Sequence, residues 1–307
     1  MALLTPILFI FFNSKKTTMM VFEKIKEAEP KCLYLYCDGP RLKNATDKDK
    51  CNELKQLVLN SISWDCDVKT FFPNENSGPG LGVYRAIKWF FSNVPEGIVL
   101  EHDVMPSQEF FVYCSALLEK YRENPKVGFI TGSCFTNRFQ QSKFSYGFSY
   151  LPHIWGWASW RRSMDGYTFH LNSSDKNIKK LFSNGYLFKS KGLERHLRYM
   201  YFLLRYKLIN TWDLQLMYNM LNKGQLTIFP HRNLISNIGF GPEAVHCTDP
   251  TSPLANMPFG ILGPLVHPID LTASFDNDVD FYNKFQKKSS ARLFFSVIKH
   301  LIKKIYS

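Results

Sequence analysis

The sequence contains no CxxC pair, and its seven cysteines (Cys32, Cys37, Cys51, Cys66, Cys114, Cys134 and Cys247) are an odd number. A framework with every cysteine bridged is thereby excluded, and a zinc ribbon or finger has no ligand pair to start from. Several of the cysteines lie inside apolar runs, where a thiol behaves as a small buried hydrophobe. Reduced thiols in a cytosolic compartment are therefore expected. Met1–Phe12 is apolar but lacks a basic n-region and a small-residue cleavage site, and Pro6 interrupts it. It is too short to span a bilayer, so a buried first strand is expected there rather than a signal peptide. No Walker or dinucleotide glycine spacing occurs, and there is no internal repeat.

What is present is a chain of 307 residues, 45% apolar and 16% aromatic, enough for one large α/β domain with a sizeable core. The formal charge of +12 is not spread evenly. Residues 176–207 hold nine Lys/Arg against one acid, and residues 281–307 hold seven Lys/Arg and no acid. The remainder of the chain is close to neutral. Local patches of this kind attract phosphates on a nucleotide or a membrane surface, and no nucleic-acid partner is expected.

Apolar runs and amphipathic stretches alternate through the first half. Strands are predicted at Ile7–Phe12, Cys32–Cys37, Cys66–Phe72, Gly97–Glu101 and Val127–Thr131. Helices are predicted from Ser14 to Ala28, from a capping Asp47 to Ile62, over Val83–Ser92, and from Ser107 to Tyr121. This alternation is the signature of a mostly parallel sheet flanked by helices, with ligands bound beyond the carboxyl ends of the strands. The second half reads as an aromatic-rich stretch (135–160), helices at about 175–184, 190–208 and 213–223, a strand at Leu226–Phe229 and a Gly/Pro-rich run over 239–264. A basic amphipathic helix at about 291–306 suits an anionic membrane surface or a packed terminal helix equally.

The strongest local feature is Glu101-His102-Asp103 at the end of a buried strand. Carboxylates there can hold a hard divalent cation, or cap the next helix. Asp38, before Gly39-Pro40, can bind a ribose hydroxyl or close an Asx turn. Asn13 ends the first strand beside it. The glycine-rich Asn76–Gly82 precedes a helix and can meet a phosphate, or simply turn. Trp155-Gly156 can form a wall against a sugar ring, whereas Trp160 reads as core. Asp213, opening a helix in Thr211-Trp212-Asp213, is either a helix cap or a base. His246 can ligate a metal or serve structurally.

Six pieces in order, LYCDGPR (35–41), LEHDVMP (100–106), WGWASWR (155–161), TWDLQ (211–215), NLISNIGFGPEAVH (233–246) and the opening Thr5–Asn13, carry a resemblance. The chain resembles bacterial glycosyltransferases of the GT-A fold, a nucleotide-diphospho-sugar transferase group similar to eukaryotic N-acetylglucosaminyltransferase I. The resemblance implies a nucleotide-sugar donor, favouring a UDP-sugar, with Mn²⁺ or Mg²⁺ as cofactor. It makes Asp103 the metal ligand, with His246 returning to the metal or diphosphate, and Asp213 the catalytic base of an inverting transfer. It also places Asn13, Asp38, Glu101, His102, Trp155 and Gly156 around the nucleotide-sugar. The family pattern is Glu-Asp-Asp, and His102 departs from it.

The expected organisation is a nucleotide-sugar-binding α/β half (1–134), an acceptor-side half of the same domain (135–285) and a basic terminal helix (286–307). The expected setting is the cytoplasm, or the inner face of the cell membrane, with a glycan or lipid-linked acceptor in surface polysaccharide assembly. A nucleotidyltransferase or a non-catalytic sugar- or membrane-binding protein of the same fold are the alternatives.

Overall fold

A computed structural model describes residues 2–136, 138–139, 141–171, 189–241 and 249–287. The predicted helices at 175–184 and 291–306, and His246, lie outside the described residues.

The sheet is built outward from β1 (Ile7–Phe11), whose five residues are all buried. A strand apolar on both faces is what a parallel sheet covered on both sides requires. Ile7, Phe9 and Phe11 face one layer, packed with Val21, Phe22 and Ile25 of α1 (Lys15–Ala28), Leu54 and Val58 of α2 (Asp47–Asn60), and Phe110 and Leu117 of α4 (Gln108–Tyr121). Leu8 and Ile10 face the other layer, with Val83, Ile87 and Phe90 of α3 (Gly78–Asn93). The two-residue period of the strand thus splits one apolar run between two cores.

β1 pairs in parallel with β2 (Cys32–Cys37) and β4 (Glu96–Glu101), and β2 pairs in parallel with β3 (Asp67–Phe71). Beyond β4 comes β8 (Trp157–Trp160), antiparallel both to β4 and to β6 (Val127–Thr131). β9 (Leu226–Pro230) follows, parallel to β6, and β7 (Tyr146–Ser149) closes the edge antiparallel to β9. The order is β3-β2-β1-β4-β8-β6-β9-β7. A separate ribbon pairs β5 (Val104–Pro106) with β10 (Ile235–Asn237). α5 (Lys191–Arg205), α6 (Asp213–Lys223) and α7 (Phe275–Phe281) complete the described helices. This is the expected α/β class, a mostly parallel, Rossmann-like sheet flanked by helices. Among the described residues, no helix is long and apolar enough to cross a membrane.

Three local expectations need correction. Helix α3 begins at Gly78 rather than Val83, with Pro79 in its first turn, where proline's fixed φ and missing N–H cost nothing. Ser14 and Ser107 do precede their helices, but neither side chain makes a capping bond. The N-cap of α2 is Thr46, not Asp47.

Asp47 is instead fully buried, accepting from Arg41 Nε at 2.5 Å, Arg41 Nη2 at 3.0 Å and Asn13 Nδ2 at 2.8 Å. The Arg41 guanidinium holds its carboxyl down at about 2, against an ordinary value of 3.8. Since half of Arg41 faces solvent, the pair stabilises the fold by about 1 kcal/mol rather than the larger figure the full shift implies. A depressed folded-state value means this stability is present above pH ~4 and is lost as pH falls through ~2. Asp47→Asn should therefore unfold at lower urea than the parent at pH 7, with the gap closing below pH ~2. A gap independent of pH would show that packing, not charge, is what the substitution removes.

Candidate functional site

Three carboxylates lie within electrostatic reach of one another beyond the carboxyl end of β4. Glu101 is the last residue of β4, Asp103 stands in the turn between β4 and β5, and Asp213 is the first residue of α6. Their proximity is felt at Glu101, whose carboxyl is pushed up to about 8, first by burial and then by the negative charges of Asp103 and Asp213. Two like charges crowding a third in a desolvated pocket favour its protonated form.

Asp103 is held from behind by the chain leaving β10. Ile238 N–H donates to the Asp103 carbonyl at 2.8 Å, and Gly239 N–H donates to Asn237 Oδ1 at 2.9 Å. A Cβ on Gly239 would fall 2.4 Å from Asp103 Oδ2. Only glycine lets the backbone pass this close. The described part of the Asn233–His246 stretch, to residue 241, is thus packed against the Glu101–Asp103 turn.

Asp213 is fixed by an aromatic column. The preceding Trp212 is buried and stacks on Trp157 (ring centroids 6.0 Å apart), which stacks in turn on Phe129 (4.9 Å). Tyr167 Oη donates to the Trp212 carbonyl at 2.9 Å. Thr211 Oγ1 donates to Asp213 Oδ1. The N-cap position belongs to Trp212, with no side-chain capping bond, so Asp213 is not the helix cap. Thr211 went unnoticed in the sequence, although a hydroxyl two residues before an aspartate is a recurrent local donor.

Asp38 ends β2 and turns toward α3. Its Oδ1 accepts from Gly39 N–H (3.0 Å), Ser77 N–H (3.1 Å) and Tyr36 Oη (3.2 Å), and its Oδ2 from Ser77 N–H and Gly78 N–H (both 3.0 Å). Burial raises its proton affinity, while these donors oppose the rise. The carboxylate thus occupies the anion-binding end of α3, taking N–H groups that the glycine-rich loop might have offered a phosphate. The glycines of that loop have a packing role. A Cβ on Gly82 would come within 3.1 Å of Asp38 Oδ2, and one on Gly80 within 2.1 Å of Asn210 Oδ1 and 3.0 Å of Thr211 N. The first turn of α3 is therefore wedged between Asp38 on one side and the Asn210–Asp213 segment on the other.

The remaining candidates divide. Asn13 is engaged with Asp47, beside the carboxyl ends of β1 and β2. His102 occupies the same turn as Asp103 and is partly exposed. Trp155 is partly exposed between Phe135 (5.3 Å) and Phe240 (5.8 Å), the latter next to Gly239. Gly156 is buried, at φ +57°, where a Cβ would meet Ile235 Cδ1 at 2.3 Å; its role is close packing of β8's approach against β10. Trp160 is core, as expected.

Among the described residues, no group of three or more His, Cys, Asp and Glu side chains stands ready to hold a metal ion. Glu101 and Asp103 offer hard oxygen donors, and a cation of the Mg²⁺ type is commonly held by one or two carboxylates plus substrate phosphates. The donor chemistry fits such an ion, which would also relieve the charge crowding at Glu101.

Fold and site together define an α/β protein with a Rossmann-like sheet and acidic side chains at its strand ends. No protein-family model matches the chain, and no curated protein does. Solved structures similar to it include HddC from Yersinia pseudotuberculosis, at 8% identity over 58% of this chain and 86% of that one (TM-score 0.35). A 4-diphosphocytidyl-2C-methyl-D-erythritol synthase from Anaerococcus prevotii matches at 10% identity over 58% and 84% (TM-score 0.34). Mouse xyloside xylosyltransferase 1 matches at 11% over 71% and 81% (TM-score 0.34). At these levels the functional reading rests on the chain's own residues.

Proposed function

We propose that this chain is a metal-dependent glycosyltransferase, moving a sugar from a nucleoside-diphosphate donor, a UDP-sugar by preference, to a hydroxyl of a glycan or lipid-linked acceptor. The observation that carries this reading is that Asp103 and Asp213 both bear electrostatically on Glu101 at the carboxyl end of the central strands. Asp103, with Glu101 beside it, would hold Mn²⁺ or Mg²⁺. When bound, such an ion neutralises charge growing on the departing diphosphate. His246 is proposed to return to the metal or the diphosphate.

The protein's own part is positioning and proton transfer. Asp213 accepts the acceptor hydroxyl proton as that oxygen bonds to the anomeric carbon and the bond to the diphosphate oxygen breaks, inverting the configuration. Thr211 orients the carboxylate. Asp38 shapes the nucleoside pocket by fixing α3 against β2, with Asn13 and His102 at its rim, while Trp155 and the backbone at Gly156 wall the sugar. The proposed setting is the cytoplasmic membrane face, in surface polysaccharide assembly, with the basic terminal stretch meeting anionic lipid.

The test is incubation with a panel of nucleoside-diphosphate sugars, with and without Mn²⁺, reading released nucleoside diphosphate and the anomer of the product. Metal-stimulated release with an inverted product supports the reading. Formation of nucleotide-sugar and pyrophosphate from a nucleoside triphosphate and a sugar phosphate would assign a nucleotidyltransferase instead. No turnover of either kind would leave a binding protein.

A further inference from the structure

The segment from Pro258 to Leu271 lacks regular secondary structure, yet it is apolar both inward and outward. Leu262, Leu265 and Leu271 pack against the core. Phe259, Ile261, Val266 and Ile269 stand outside, with 41%, 83%, 48% and 85% of their surface exposed. One apolar face suffices to dock a loop onto its own protein. A second, outward set needs another explanation, because isoleucines this exposed are a cost in water.

The segment is a strap laid along α4. Leu262 N–H donates to Glu109 Oε2 at 2.7 Å near the start of that helix. His267 Nδ1 lies 2.9 Å from the Tyr146 hydroxyl, which is 2.8 Å from the Tyr121 hydroxyl at the helix end. The strap is thus tied directly to the start of α4 and, through Tyr146, to its last residue.

Some of the strap's backbone polar groups are bonded within the protein. Gly260 N–H donates to the Asn233 carbonyl (2.7 Å), Val266 N–H to Ser145 Oγ (2.8 Å), and Ser145 N–H to the Val266 carbonyl (2.9 Å). Pro258, Pro264 and Pro268 have no N–H to satisfy. The flanks are cationic: Lys120 and Lys143 are exposed, and Arg232 underlies Gly260. Of the nearby acids, Glu119 pairs with Arg122 at 2.7 Å, leaving Glu109 and Asp270.

We propose that this strap is a membrane-docking surface whose partner is the headgroup region of an anionic bilayer. Outward aliphatic side chains rimmed by lysine match such an interface. A second copy of the chain fits less well, because a two-fold contact on this patch would bring its cationic rims together. The strap also leads to the acidic cluster: Asn233 Nδ2 donates to the Pro258 carbonyl at 3.1 Å, and Asn256 N–H to the Asn237 carbonyl at 3.0 Å, two residues before Gly239. Docking would hold the mouth near Asp103 at the lipid surface. That a lipid-borne hydroxyl compound is the acceptor rests on the glycosyl-transfer reading; the docking itself does not.

The test uses the full chain and vesicles of phosphatidylcholine mixed with phosphatidylglycerol, or of phosphatidylcholine alone, at low and high salt. The double substitution Ile261→Ser with Ile269→Ser should lower partition onto the anionic vesicles at least about tenfold. The parent should keep part of its binding in high salt, while the variant loses it. Melting temperature should be unchanged, since both side chains face outward. Equal partition of parent and variant at both salt levels would overturn the proposal and leave binding to basic stretches alone. It would equally be overturned by absent vesicle binding together with a dimer, seen in sedimentation, that the substitutions abolish.

Discussion

Asp103→Asn lowers metal-stimulated donor turnover by about a thousandfold, roughly 4 kcal/mol of transition-state stabilisation. The substitution keeps the size and shape of the side chain, so Gly239 still packs against it, and the Ile238 bond to the Asp103 carbonyl does not involve the side chain. What is lost is a hard anionic donor and one negative charge. Melting temperature should stay within a few degrees of the parent. Turnover and its dependence on Mn²⁺ concentration are the measurements, and parental turnover at saturating metal would remove Asp103 from the site.

Asp213→Asn produces a different pattern. A base that acts on the acceptor contributes little to donor binding, so nucleoside-diphosphate affinity should stay within about twofold while acceptor-dependent turnover falls 10²- to 10⁴-fold, roughly the range for a lost general base. The aromatic column of Trp212, Trp157 and Phe129 is untouched by the change. Loss of a negative charge in the first turn of α6 costs about 0.3–1 kcal/mol, partly offset by relief of the repulsion at Glu101. Titration calorimetry, turnover and melting temperature therefore separate catalysis from structure. A variant that transfers sugar normally would leave the proton without an assigned acceptor.

The first half of the fold was legible because each element there carries its own signal. Cys32–Cys37 is a strand with the bounds its apolar run predicts, and the helix after Ser14 ends at Ala28 as read. Helix α3 was read short because glycine and proline count against helix in a local reading. Gly80 and Gly82 are there to admit Asn210 and Asp38, contacts that span tens of residues in sequence. Strand β8 escaped notice for a related reason: Trp-Ala-Ser-Trp is four residues long and buried throughout, so it shows no alternation. The three-residue strands β5 and β10 are shorter still. At the candidate site, Asp103 and Asp213 could be named from sequence. The closeness of Gly239 to Asp103, and the use of Asp38 to hold α3, depend on long-range packing that no local pattern encodes.

Strand β8 has one more consequence, for attempts to redesign specificity. The earlier and later halves look like exchangeable modules when the chain is drawn as a line, with a seam near residue 134. In the sheet, however, β8 is contributed by the later half and inserted between β4 and β6 of the earlier one, bonded to both. A chimera joined at that seam would have to match a foreign strand to two neighbours at once, in register and in the volume of Trp157 and Trp160. Altering the side chains and loops beyond the strand ends, while keeping β8 native, is the route the architecture leaves open.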